Sequence, residues 1–330
     1  MKTLLRSLTD MVAKKTPLRC FVHMERAGGT TFVHVLRNND PTVLMLSPYR
    51  WPHEPNNVFK KDELNVLLRL FPRTGGFSGH CTRSYLDYGS VTDRPIQYVT
   101  FLRDPIKRYM SHYFHERFAK SNGWDLDTFL SDKRFDNFMT VRLAGRADLD
   151  EAKRRLAEDF HFVGLTDRFD ASLVLLRQLW GEDFDIRYEK KNDASSNAYT
   201  EARQECLSRR DELHEKNALD AELYAFAVDL FEERAEASGL NLDAEVEALQ
   251  AANATFTYPK WRGRAAKAYR WAGYKWPEEV LRAVHHPDDN FGLLQRVAVR
   301  VSPHFERRWF ADTHPSPAGA SEDASSSRMP

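Results

Sequence analysis

Cysteine is scarce in this chain. Cys20, Cys81 and Cys206 are the three present in 330 residues, and they stand far apart. That spacing offers neither a metal-type Cys pair nor a disulfide framework, so a reducing compartment is the simplest reading. Long apolar runs are missing too. Residues 1–16 carry basic side chains and short apolar pieces without the continuous core of a secretory signal, and no later run is long enough to cross a bilayer. There is no excess charge of either sign. Lys plus Arg number 48 and Asp plus Glu number 48, so no global field draws the chain towards nucleic acid, and an anionic ligand must be gripped by local clusters. The common phosphate loop G-x-x-x-x-G-K-[ST] is absent, because no Lys-Ser or Lys-Thr follows Gly29. No internal repeat is evident.

What is present begins at Phe21-Val22-His23-Met24-Glu25-Arg26-Ala27-Gly28-Gly29-Thr30-Thr31-Phe32. A short strand-like apolar run stops at two glycines, and two hydroxyl residues open an apolar-periodic helix. Glycines let backbone N–H groups approach an anion closely, and a helix N-terminus adds partial positive charge. Arg26 supplies a permanent cation, and Thr30 and Thr31 supply further donors. These features predict a phosphate cradle.

A second segment has the same logic. Gln97 to Leu102 reads as a buried strand, and Arg103-Asp104-Pro105 follows, with Asp104 as N-cap and Pro105 at the first helical position. Arg103 then stands at the carboxyl end of a strand and Ser111 about two turns into the helix, where open α/β sheets bind ligands.

Elsewhere strands and helices alternate. Strand-like runs fall at 19–24, in Val43-Leu44-Met45-Leu46, at 77–80 and at 161–165; helical patterns fall at 31–36, 62–70, 171–180 and along 200–238. Residues 51–57 and 188–199 read as loops. The pattern predicts an α/β fold with a mainly parallel central sheet flanked by helices. Hydrophobic residues make up 42% of the chain, enough for one large domain or two smaller ones. The expected organisation is a main domain over 1–254, a C-terminal extension over 255–312 and a disordered tail over 313–330 rich in Ser, Ala and Pro. Residues 258–276 hold six Lys/Arg and no acidic residue, interleaved with Trp261, Tyr269, Trp271, Tyr274 and Trp276. This segment reads either as a binding surface for a membrane, a glycan or an anionic acceptor, or as a helix packed on the core with its basic face in water.

The two glycine- and arginine-bearing segments together resemble the 5′-phosphosulfate loop and the 3′-phosphate motif of sulfotransferases that use 3′-phosphoadenosine-5′-phosphosulfate (PAPS). The likeness is nearest to the carbohydrate enzymes of the heparan sulfate 2-O and chondroitin type, which read H-I-P-K-T-G-G-T-T and later F-L-R-D-P with Ser-His-Tyr. Here the first motif is His23 to Thr31 and the second runs from Phe101 to Tyr113. Phe162 to Phe169 and the Asn-x-x-Asp-x-x-Leu-Tyr pattern of Asn217 to Tyr224 extend the resemblance over roughly 18–235. Arg26 replaces the family lysine and Glu25 the preceding proline. Arginine occupies that place in other sulfotransferase branches; it stays protonated, so its contribution is electrostatic.

The resemblance implies the P-loop-kinase-like sulfotransferase fold, PAPS as donor, no metal and a carbohydrate or lipid-linked acceptor. Arg26, Ala27, Gly28, Gly29, Thr30 and Thr31 would hold the 5′-phosphosulfate end, and Arg103 and Ser111 the 3′-phosphate. His80 follows a strand as Gly79-His80 and is the candidate base; the alternative is a histidine that hydrogen-bonds a neighbouring loop. His53 and Glu54 are weaker candidates, His23 and His112 read as supports, Arg83 as a surface residue before one that orients an anionic acceptor, and residues 190–196 as a loop that closes over the adenosine or 3′-phosphate or is simply solvated. Family relatives carry an N-terminal membrane anchor, and without one the expectation here is a soluble cytoplasmic enzyme, with peripheral membrane contact through 258–276. A silent PAPS-binding module is one rival. An ATP-dependent phosphotransferase is another, although its phosphate-loop lysine and magnesium carboxylates are not recognisable.

Overall fold

The computed structural model describes residues 16–46, 58–119, 123–189, 197–259 and 261. All belong to the first of two compact units, Met1–Tyr269. The loops at 51–57 and 190–196, with His53 and Glu54, lie outside the described residues, as do the tail and nearly all of the C-terminal extension.

Five parallel strands form one sheet in the order β2-β3-β1-β4-β5. They are β1 (Leu18–Val22), β2 (Leu44–Met45), β3 (Gly76–Gly79), β4 (Ile96–Leu102) and β5 (Phe160–Leu165). Buried on both faces, β1 and β4 read as near-continuous apolar runs, as a parallel sheet requires. In register, Val22 lies opposite Gly79 on one side and Thr100 on the other, and Leu102 opposite Leu165. The chain moves from β1 to the β3 side and then crosses back to β4. The sheet order therefore switches beside β1, which places the loops after β1 and β4 at the position where such sheets take ligands.

Helices cover the sheet. In α1 (Gly29–Asn39), Phe32, Val35 and Leu36 recur at helical spacing and are buried. Then come α2 (Lys61–Leu70), α3 (Pro105–Phe114), α4 (Leu126–Ser131), α5 (Phe138–Ala144), α6 (Leu149–Glu158) and α7 (Phe169–Trp180). The region 200–238, expected as one long helical stretch, is three helices: α8 (Asn197–Ser208), α9 (Arg210–Lys216) and α10 (Ala218–Ser238); α11 (Leu242–Asn253) follows. The second break has a cause in Asn217, whose side chain donates back to Leu213 O at 2.8 Å and so competes with the helical ladder.

That break allows a reciprocal cap. Asn137, at the start of α5, accepts from Leu219 N at 2.9 Å, while Asp220 accepts from Met139 N at 2.9 Å and from Thr140 N and Oγ1 at 2.8 Å. Each helix supplies the acceptor for the other's orphan first-turn donors. The Asn-x-x-Asp pattern at 217–220 thus holds α5 and α10 together.

Candidate functional site

The site is built at the carboxyl ends of β3, β1 and β4, which are neighbours in the sheet. After β1 the chain turns through His23 to Gly28. Arg26 adopts φ 66° and Gly28 φ 76°, both left-handed, a conformation that costs a side-chain-bearing residue free energy and suits glycine. Gly28 caps α1 without a side-chain hydrogen bond, and the Thr31 N–H donates to the Gly28 carbonyl at 3.1 Å, which leaves the N–H groups of Gly29 and Thr30 as the first-turn donors for a ligand or solvent. Thr30 is exposed, Thr31 half-buried, and Ala27 fully buried. Gly29 is required by packing: a Cβ there would lie 2.0 Å from His23 Cδ2.

After β4 the second segment behaves as its residue types dictate. Asp104 accepts from Lys107 N at 2.8 Å and Pro105 occupies the first helical position. Arg103 precedes the N-cap, Lys107 and Ser111 are four apart on one side of α3, and Arg108 and His112 are buried. Arg26 Nε donates to Ser111 Oγ at 3.1 Å, and Arg103 Nη1 donates to the carbonyl of Arg26 at 3.1 Å. The two predicted phosphate-binding segments therefore meet directly, with two guanidiniums, a hydroxyl and a helix N-terminus in one place.

Asp167, after β5, braces this arrangement. It accepts from Lys107 Nζ at 2.5 Å, from Asp104 N at 3.3 Å and from Tyr224 Oη at 3.1 Å. Burial pushes its carboxyl up, but these donors outweigh burial and hold it below the usual range. Burial, with the neighbouring Asp167 carboxylate, raises the Tyr224 phenol.

His80 follows β3 and its ring lies against that of His23, tilted by 34° with centroids 3.9 Å apart. Its Nδ1 lies 3.0 Å from the carbonyl of His23. A carbonyl only accepts, so Nδ1 carries a proton. Burial holds the His23 ring down to about 3, with the positive charge of His80 adding and Glu25 opposing, so His23 is neutral at ordinary pH. Arg83 is a correction to the sequence reading: it is 3% exposed, not a surface residue. Its Nη1 donates to the carbonyls of His80 at 2.6 Å and Thr82 at 2.7 Å, fixing the turn that carries the imidazole. His112 is buried too, its Nδ1 3.3 Å from Arg108 Nη1 and its Nε2 3.6 Å from Glu116.

Arg142 is the residue that sequence reading missed. It projects from α5, and its Nη2 donates to Glu25 Oε1 at 2.6 Å, a pairing across 117 residues that no local pattern announces. The departure at Glu25 was visible in the sequence; its partner was not.

No protein-family profile matches the chain. Over 174 residues it is 34% identical to galactose-3-O-sulfotransferase 2 of Mus musculus, a match that spans 50% of this chain and 40% of that relative. The match supports a likeness to the carbohydrate sulfotransferases, in agreement with the α/β fold; it does not single out the heparan sulfate 2-O and chondroitin branch. The aligned part is less than half the length of that relative.

Proposed function

We propose that this chain is a PAPS-dependent sulfotransferase that moves a sulfuryl group to a hydroxyl of a carbohydrate or glycolipid acceptor by in-line displacement. The observation that carries the reading is the junction of Arg26, Ser111 and Arg103, which joins a glycine-rich loop to the arginine and serine of a second motif 77 and 85 residues away. The chemistry of this donor set fits a doubly anionic nucleotide: planar guanidinium forks, a hydroxyl, and the uncapped first turn of α1. Arg26 and residues 27–31 would take the phosphosulfate end, and Arg103 with Ser111 the 3′-phosphate. PAPS, when bound, supplies the activated sulfuryl group. Arg26 and the α1 N-terminus put positive charge where the leaving phosphate develops its own. His80, with Nε2 unprotonated, accepts the proton of the attacking hydroxyl. The carbohydrate acceptor is supported by the likeness to the mouse galactose sulfotransferase.

The test is calorimetric titration with 3′-phosphoadenosine-5′-phosphate (PAP), with ATP as competitor and Arg103→Ala alongside. PAP binding that ATP displaces poorly and that Arg103→Ala weakens at least about tenfold supports the reading. A preference for ATP, or no binding of PAP, overturns it in favour of a generic phosphate-binding fold. Transfer of label from PAPS to galactose-terminated glycans, present with the natural chain, separates an enzyme from a silent binding module.

A further inference from the structure

The Glu25 carboxylate occupies a position that a simple ion pair does not explain. Its Oε1 is taken by Arg142. Its Oε2 is shielded from solvent and accepts no hydrogen bond. A buried carboxylate oxygen without a donor is costly, and such an atom in a folded protein calls for a reason. That oxygen lies 3.8 Å from His80 Nδ1, and the Glu25 side chain is 18% exposed against 43% for His80. The carboxylate is therefore fixed and largely dry while the imidazole beside it reaches solvent.

We infer that Glu25, clamped by Arg142, is a positioning residue for His80: lying 3.8 Å from the Nδ1 that the His23 carbonyl holds, it stabilises through its charge the imidazolium formed when Nε2 takes a proton. This rests on the sulfotransferase reading proposed above. In that reaction the acceptor oxygen forms a bond to sulfur and the bond from sulfur to the bridging oxygen breaks. The electron pair leaves with the phosphate of PAP, and the hydroxyl proton goes to His80 Nε2. The imidazole thus gains a full positive charge at the moment of transfer. A carboxylate 3.8 Å from the far nitrogen favours that charged form.

Among the described residues, the groups facing His80 fit this assignment. From the β1 loop come His23, tilted against the ring, and Glu25. From α5 comes Arg142, whose charge is matched by Glu25. From its own turn comes Arg83, bound to the His80 carbonyl rather than the ring. His23 stays neutral, so no cation stands against the ring on that face. Glu25 is the anion in this set. Arg142 keeps it from turning away, and the ring of His23 limits rotation of the imidazole.

The experiment uses the full chain, labelled with ¹⁵N-histidine, and follows the His80 ring nitrogens by long-range ¹H–¹⁵N correlation from pH 5 to 9; His80→Gln assigns the signal. Glu25→Gln keeps an acceptor for Arg142 but removes the charge. The expected result is a lower His80 midpoint in Glu25→Gln than in the natural chain. Glu25→Asp should restore part of that shift. In turnover, Glu25→Gln should move the acid limb of kcat/KM down by the same amount and reduce kcat about tenfold, with KM for PAPS little changed. Unchanged circular dichroism in both Glu25 variants shows that the fold is retained. A His80 midpoint that Glu25→Gln leaves unmoved, in a chain that binds PAP and transfers sulfuryl groups, overturns the inference and leaves the proposed function standing. Absence of PAP binding and transfer in the natural chain overturns the proposed function and, with it, the catalytic meaning of the pair. The titration, which needs no substrate, still shows whether the two groups are coupled.

Discussion

Arg26 Nε and Ser111 Oγ are 3.1 Å apart although 85 residues separate them in the chain. One follows β1 and the other lies on the helix after β4, and the parallel pairing of those strands, with Val22 opposite Thr100, brings them together. Neither residue alone distinguishes a ligand site from a surface. Their contact carries the proposed reading, because it sets a guanidinium, held in left-handed backbone just before the N-terminus of α1 where no side chain caps the helix, against a hydroxyl of α3.

The first prediction concerns that pair. Arg26→Ala should weaken PAP binding by about 10–150-fold, the range for loss of one or more charge-assisted hydrogen bonds of about 1.5–3 kcal/mol. Ser111→Ala should cost less, since a neutral hydroxyl is removed. Calorimetry on the two single variants and the double variant measures their coupling, and a double variant whose loss equals the sum of the singles would show that the contact is incidental. Arg26→Lys should fall between, keeping charge but losing the fork.

Gly29 tests how tightly the loop is built. In an open helix start, Gly→Ala gains up to about 1 kcal/mol of helix propensity. Here the added Cβ would stand 2.0 Å from His23 Cδ2, so the ring must move off His80. Gly29→Ala should therefore destabilise by about 1–3 kcal/mol, as overpacking does. Denaturant melts provide the measurement. The double variant His23→Ala/Gly29→Ala should recover part of the loss relative to His23→Ala alone; an added loss in that background would place the strain somewhere other than the His23 ring.

Much of this architecture is legible in the sequence, and the parts that are not share a cause. The strands β1, β4 and β5 stand out because a doubly covered parallel strand is an unbroken apolar run. The start of α3 stands out because Asp104 and Pro105 state it locally. Both candidate phosphate-binding segments are local too. By contrast, the division of 200–238 depends on Asn217 bonding back to Leu213 and on Asp220 reaching α5, and helical periodicity passes through both without a mark. Arg142 and the burial of Arg83 are likewise tertiary facts. A lone arginine on a helix or in a turn carries the same local signal whether it faces water or a carboxylate.

The reciprocal cap between α5 and α10 gives the third prediction. Asp220 is fully buried and accepts three hydrogen bonds, from Met139 N, Thr140 N and Thr140 Oγ1. Asp220→Asn replaces one acceptor oxygen with a donor facing another donor. A loss of about 3 kcal/mol is expected, the scale of a buried charged group whose partners are stranded. Asn137→Ala, which removes the opposite cap, should cost about 1 kcal/mol. Urea midpoints decide the order: a larger effect at Asn137 would mean that the carboxylate is not what holds the two helices together.

The last prediction is a pH dependence of stability. His23 titrates near 3 in the folded chain against an ordinary 6.5, because burial and then the charge of His80 disfavour its protonated form while Glu25 opposes them less strongly. Between those two values the unfolded chain binds a proton at this site that the folded chain does not. Stability from His23 is therefore fully present above pH 6.5 and is lost as pH falls towards 3, by up to about 1.4 kcal/mol for each pH unit descended. Other groups add slopes of their own, so the comparison is with His23→Phe, which keeps an aromatic ring against Phe21, now stacked at 5.1 Å, and cannot take a proton. Unfolding free energies measured from pH 7 to 4 should fall more steeply for the natural chain than for the variant. Parallel curves would mean that His23 accepts its proton in the folded state as readily as in the unfolded one, and that the ring beside His80 is not kept neutral.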